Sequence, residues 1–233
     1  MKRILVYTAL LFVFGISVAS AQNDLNWESK VYNLGDYKTI RLEGGFRVYL
    51  IQGDHYEVKV KSPDIDVFDK INIRNSGQRL SVKVNQSIFD YSRVNLYFTF
   101  KDLRELEIEG GVSLKTNGYL DLTDFSTRIK GGANIDLNMK AQTVKIVGEG
   151  GFLFEIKGVT DLLDVSISGA GHVSASEMKS DDVNFAIYGF GTGSVHPIKT
   201  LDAHIEGVGM IKYKGTPKVK QSIDGLGSVK PLN

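Results

Sequence analysis

An all-β fold, a right-handed single-stranded parallel β-helix (a β-solenoid with coils of about 20 residues), is what this sequence predicts. Three observations carry the prediction. Apolar residues alternate with polar ones at period two along most of the chain. No apolar stripe of period 3.6 runs for the length of a helix. Finally, 25 glycines among 233 residues exceed the usual share of about 7%, and they recur in a short unit instead of scattering.

The N-terminal segment is read first. Met1-Lys2-Arg3, an apolar run from Ile4 to Val18 and the small residues Ala19-Ser20-Ala21 form the three-part layout of a secretory signal peptide. The run is shorter than the about 20 residues of a membrane span. Residues 1–21 are expected to be removed. The mature chain then has no membrane span and lies in the periplasm, on the cell surface or outside the cell. Residues 22–36, polar with the single Trp27, read as a lead-in and N-terminal cap. A single solenoid domain follows over 37–233. In its first part Val58 and Val60 alternate with Lys59 and Lys61, and Ile71 and Ile73 with Asn72 and Arg74. Leu80, Val82 and Val84 alternate with Ser81 and Lys83, and Val94, Leu96, Phe98 and Phe100 continue the pattern. Period two in β-branched and aromatic residues means half-buried strands.

Regular coils begin at about 103. Each carries an apolar residue, a polar residue, a lead glycine, a second glycine at once or after one residue, and another apolar residue. The lead glycines are Gly44, Gly110, Gly131, Gly150, Gly169, Gly189, Gly207 and Gly225. From Gly110 onward their spacings are 21, 19, 19, 20, 18 and 18, the mark of a solenoid. Gly44 precedes Gly110 by 66 residues, room for three longer coils. Two positions before the lead glycine stand Leu42, Ile108, Ile129, Gly148, Ile167, Ile187, Ile205 and Ile223. The second apolar slot holds Val48, Leu114, Ile135, Phe154, Val173, Val195, Ile211 and Val229. Stacked about 4.8 Å apart, these are two inward ladders, with Gly148 as an exception. The slot just before the lead glycine faces water: Glu109, Lys130 and Glu149 alternate in sign, whereas Glu206 and Asp224 do not. The glycines fit corners, where a positive φ or a close approach of stacked backbones excludes other residues. The apolar residues do not recur every six positions, against a hexapeptide helix. No aspartate ladder follows the glycines, against a calcium-binding roll.

Composition excludes several functions. Without cysteine there is no disulfide framework, thiolate zinc site, cysteine nucleophile or lipid anchor on cysteine. A net charge of +1 argues against nucleic acid as the partner. His55, His172, His196 and His204 form no local metal motif, although His172 and His196 fall at neighbouring corners. Gly191-Thr192-Gly193-Ser194 precedes no helix and so is no phosphate cradle. No catalytic residue, metal ligand or cofactor is expected. The acids after Pro63 (Asp64, Asp66, Asp69) read as turn residues. Asp121, Asp124, Asp161, Asp164, Asp181 and Asp182 could stack into an acidic groove. That groove would suit calcium or a glycosidase pair. Phe46, Phe152, Tyr188 and Phe190 lie at or beside corners. Phe152, Tyr188 and Phe190, with His172, form the candidate ligand surface.

Several segments together resemble one known family. They are Ile40-x-Leu42-Glu43-Gly44-Gly45-Phe46-Arg47-Val48 with Gln52-Gly53, the Gly-Ala-Gly and Gly-Val-Gly series, and Gly207-Val208-Gly209-x-Ile211-x-Tyr213-x-Gly215-x-Pro217 before Gly225-x-Gly227. With the signal peptide, they are similar to the putative auto-transporter adhesin, head GIN-domain family, common in Bacteroidetes. The resemblance covers about residues 37–230. It implies a right-handed β-helix like that of pectin lyases, secretion and a role in adhesion, and it carries no catalytic residues. The expected function is non-enzymatic contact with a surface, the partner being a glycan or a cell-surface or envelope protein. A homo-oligomer is also admitted. The alternative is a carbohydrate-active lyase or hydrolase using the stacked acids.

Overall fold

Each alternating segment of the sequence becomes a strand. The computed structural model describes residues 27–84 and 93–232. The signal peptide expected at 1–21 and the first residues of the lead-in lie outside them. The strands are β1 (Glu28–Asn33), β2 (Thr39–Glu43), β3 (Phe46–Gln52), β4 (Glu57–Ser62), β5 (Ile71–Ser76), β6 (Arg79–Val84) and β7 (Asn95–Phe100). They continue with β8 (Glu105–Glu109), β9 (Val112–Thr116), β10 (Leu120–Asp121), β11 (Asp124–Lys130), β12 (Ala133–Tyr213) and β13 (Lys218–Pro231). One helical turn, α1 (Val67–Lys70), is the helix among the described residues. The molecule is all-β, built on a long, mixed, open sheet.

From β8 onward the pairing is parallel, and its offset equals the glycine spacing. Ile108 pairs with Ile129, Ile129 with Gly148, and Ile205 with Ile223. β12 is extended over 81 residues but bends at Gly150, Gly169, Gly189 and Gly207, each with positive φ. All eight lead glycines have φ between +112° and +130°. Stacking adds a second constraint. A Cβ on Gly207 would stand 2.5 Å from the carbonyl oxygen of Gly189, so backbone alone fits there.

The two apolar ladders form the core. Ile129, Ile167, Ile187 and Ile205 are fully buried, as are Ile135, Val173, Val195 and Ile211. Removal of each such side chain from water contributes about 1.5–3 kcal/mol. Gly148, the exception in the inward ladder, has a packing cause. The ring of Phe152 occupies the place its Cβ would take, and Phe152 is buried. One coil later the arrangement is reversed. Ile167 supplies the bulk, and Gly171 leaves room both for it and for the Phe152 ring. Gly193, in the two-residue insertion, makes way for the ring of Phe185 in the same manner.

The N-terminal part departs from the predicted single-stranded parallel coil. Leu42 pairs directly with Ile108, and Val48 with Leu114. The 66 residues after Gly44 therefore make one excursion, not three coils. Within it β4 runs antiparallel to β1 and β7, and β5 antiparallel to β6. The cause at β5–β6 is local. Gly77 and Gln78 both have positive φ, +58° and +68°, the geometry of a two-residue type I′ turn. A loop that short reverses the chain, whereas a parallel connection needs about a dozen residues. The lead-in contributes β1, whose partner is β4.

Charged residues line the outer faces one coil apart. Lys145 meets Asp164 at 3.6 Å, Lys199 meets Asp181 at 2.9 Å and Lys220 meets Asp202 at 2.8 Å. Lys130 Nζ lies 3.9 Å from Glu149, within the alternating row expected there. Where like charges adjoin, as in the Glu43–Glu109 pair, Arg41 bridges them at 2.8 and 3.2 Å.

Candidate functional site

The glycine corners stack into a groove, and its character changes along the molecule. In the early coils the lead glycine is followed by a second glycine and then an inward apolar side chain: Gly45-Phe46, Gly111-Val112, Gly132-Ala133 and Gly151-Phe152. In the later coils the order is inverted to Ala170-Gly171, Phe190-Gly191, Val208-Gly209 and Leu226-Gly227. The pairing of Val208 with Leu226 and of Gly209 with Gly227 keeps these positions in register. The later second glycines pack tightly on the core. With isoleucine at the inward slot, a Cβ on Gly191 would stand 2.8 Å from Ile187 Cγ2, and one on Gly209 2.9 Å from Ile187 Cδ1. The bulky residue moves to the neighbouring position, and that position faces out.

An open apolar groove of about 640 Å³ results. Its floor is the backbone of Gly171, Gly191, Gly209 and Gly227. One wall carries Phe190, Val208 and Leu226, exposed at 67%, 40% and 76%. The other carries Leu153, His172, Thr192 and Met210. No Asp, Glu, Lys or Arg lines it. Its hydrogen-bonding side chains are few, and the His172 imidazole Nδ1 is already 2.7 Å from Thr192 Oγ1. The matching stretch of early coils carries Arg47, Ser113 and Asn134 in its lining.

The candidate ligand residues divide in this frame. Phe190 and His172 line the groove. Phe152 touches it but is 3% exposed, because its ring fills the space above Gly148. It is therefore a core residue. Phe46 is buried for the same inward orientation. Tyr188 is exposed but lies outside the groove, its ring 5.5 Å from that of His204. Sequence reasoning overlooked Leu153, Val208, Met210 and Leu226. The readable signal was the switch from Gly-Gly-apolar to Gly-apolar-Gly at Gly169. It also overlooked a second outer feature. Tyr49 and Tyr97 stack at 4.6 Å with 9° between rings, with Lys115 over one ring and Lys61 over the other.

The acids do not assemble as one cluster. Asp121, Asp161 and Asp181 line a shallow groove of about 470 Å³, with Lys140 and Lys179 among them. Asp124, Asp164 and Asp182 lie outside it. Asp181 and Asp164 are ion-paired with lysines of adjacent coils, and Asp182 accepts a hydrogen bond from Thr200 at 2.5 Å. Among the described residues no three His, Asp or Glu side chains gather as a metal site. His55 sits instead beside Asp54 at 2.8 Å. Among them, too, no helix is long and apolar enough to cross a membrane.

Solved structures of the same fold exist at low identity. An adhesin described as putative from Bacteroides fragilis aligns with a TM-score of 0.84 at 19% identity, over 88% of this chain and 97% of its own. A protein from Parabacteroides distasonis described as a putative lipid binding protein aligns with a TM-score of 0.68 at 21% identity, over 89% and 97%. A putative adhesin from the same species aligns with a TM-score of 0.67 at 21% identity, over 90% and 98%. No curated protein matches the chain. Seven of the eight lead glycines, from Gly44 to Gly207, and the early Leu42–Val48 segment fall within one family model, which matches residues 36–217. By that match the chain belongs to the family described as putative auto-transporter adhesin, head GIN domain.

Proposed function

We propose that this protein is a secreted, non-enzymatic attachment protein of the cell envelope that makes its contact through the apolar groove. The observation that carries the reading is the exposure of Phe190 and Leu226 over a floor of glycine backbone. Contiguous exposed apolar surface on this scale marks an interaction site. The partner is an apolar segment of an envelope protein in preference to a glycan. Sugar hydroxyls buried without partners are costly, and the groove offers few hydrogen-bonding side chains. The family match supports surface placement.

The coil itself we read as a right-handed parallel β-helix. Support comes from the parallel offsets of 21, 19 and 18 residues and from the glycine-on-glycine stacking. Residues 1–21 are read as its export signal and β1 as part of its N-terminal cap. None of the three solved relatives is described as a lyase or hydrolase, and the acids are dispersed among lysines, so the polysaccharide-cleaving alternative is set aside.

A second reading has one observation in its favour. The same groove, open and free of charged groups, suits an acyl chain, and a solved relative is described as lipid binding. Binding of labelled protein to envelope fractions tests both. Phe190→Asp and Leu226→Asp are expected to reduce binding about tenfold or more, the scale of an interface anchor, while the melting temperature holds. Retention of full binding by both variants overturns the groove assignment. Binding to protein-free phospholipid vesicles that the same variants abolish selects the lipid reading.

A further inference from the structure

β13 pairs with β12 on one side, and among the described residues no strand pairs on its other side. Val219, Gln221 and Ile223 stack over Leu201, Ala203 and Ile205, which are buried. Ile223 itself is 39% exposed. The edges at the other end of the sheet are β1 and β5, both antiparallel strands. They do not present the parallel coil that a head-to-tail stack would need.

A charge anomaly sits on this same edge. Glu206 and Asp224 are direct neighbours across β12 and β13, and like charges so placed are destabilising. The similar Glu43–Glu109 pair is bridged by Arg41. Among the described residues no cation pairs with Glu206 or Asp224. Lys220 lies on the same outward row of β13, is 81% exposed at its side chain and bonds Asp202 in its own chain.

We propose that β13 is the interface of a two-fold dimer in which the β13 edges of two copies pair antiparallel about Ser222. In that register Lys220 faces Asp224 of the second copy, twice by symmetry. Ile223 comes beside Gln221 of the second copy on the core side, and the two sheets run on as one. Each Asp224 thereby gains a cation that it lacks among the described residues of its own chain, and the exposed isoleucine is covered. The interface is isologous and closes at two copies, so no filament grows. It satisfies an edge that would otherwise invite indiscriminate pairing.

Sedimentation velocity of the full chain, from micromolar to hundreds of micromolar, reads the monomer–dimer equilibrium. A concentration-dependent dimer is expected. Asp224→Lys, which sets lysine against lysine across the interface, should weaken it about tenfold or more. Lys220→Asp combined with Asp224→Lys should recover most of the loss. Since the chain has no cysteine, Ser222→Cys gives an independent reading that needs no charge change. Mild oxidation should link two copies through residue 222 much faster than through an exposed control, Ser113→Cys. A monomer at every concentration, an Asp224→Lys dimer of unchanged strength, or equal crosslinking by the two cysteine variants each overturns the proposal.

Discussion

Gly148 and Phe152 show how tightly single residues are coupled in this core. The ring of Phe152 fills the position of the missing side chain at Gly148, and Ile167 with Gly171 solves the same volume problem with the bulk on the other residue. Volume-conserving exchange is tolerated where overpacking or a cavity is not. Phe152→Gly alone should cost about 3–5 kcal/mol through the cavity it leaves. Gly148→Ile alone should also destabilise, since its side chain meets the ring. The double variant, Gly148→Ile with Phe152→Gly, copies the next coil and should recover a large part of the combined loss. Denaturant unfolding of the four proteins measures the coupling, and strict additivity would show that the two positions do not share one space. Gly148 broke the inward ladder in the sequence. Its compensation four residues later was present in the letters but invisible without the fold, because a one-dimensional pattern does not say which ring turns into which gap.

Among the elements, a row of ion pairs crosses the outer face of β6, β2 and β8. Arg41 on β2 reaches Glu107 and Glu109 on β8, Arg79 on β6 reaches Glu107 at 3.1 Å, and Lys83 on β6 reaches Glu43 on β2 at 3.0 Å. The hydrogen bond from Lys83 holds the Glu43 carboxyl below the usual glutamate value, and that from Arg41 adds to it. A carboxyl lowered on folding contributes stability above its unfolded value of about 4.3. The contribution is lost as pH falls through the lower, folded value. Thermal melts from neutral to acid pH should therefore show a decline in melting temperature below about pH 4.3 that is shallower in Glu43→Gln. An identical acid slope in the variant would remove Glu43 from the account. The strands here were legible from their alternation. The antiparallel pairing of β5 with β6 was not, because Gly77-Gln78 is an unusual type I′ pair: glutamine at φ +68° is a conformation composition does not announce.

In the whole molecule, β13 pairs with β12 alone among the described residues, so protection should fall toward that edge. Amide hydrogen exchange in dilute protein is expected to leave β13 about a hundredfold less protected than the part of β12 flanked on both sides. Equal protection in dilute solution would mean that the end is covered within the monomer. The candidate groove also belongs to this scale. Its lining comes from coils 18 to 20 residues apart, and on its floor a Cβ at Gly191, Gly209 or Gly227 would meet the inward Ile187 or Ile205. What the sequence by itself determined is the all-β class, the family, the repeat length, the corner glycines and the two inward ladders. These are properties of periodicity, and stacking at one strand spacing turns them directly into structure. What only the tertiary structure decided is which corner residues face out, why Phe152 is core and Leu226 is surface, and how the 66-residue excursion turns back on itself. Those depend on volume shared between residues of different coils and on reversals of chain direction before β4 and between β5 and β6. A period read along the chain carries neither.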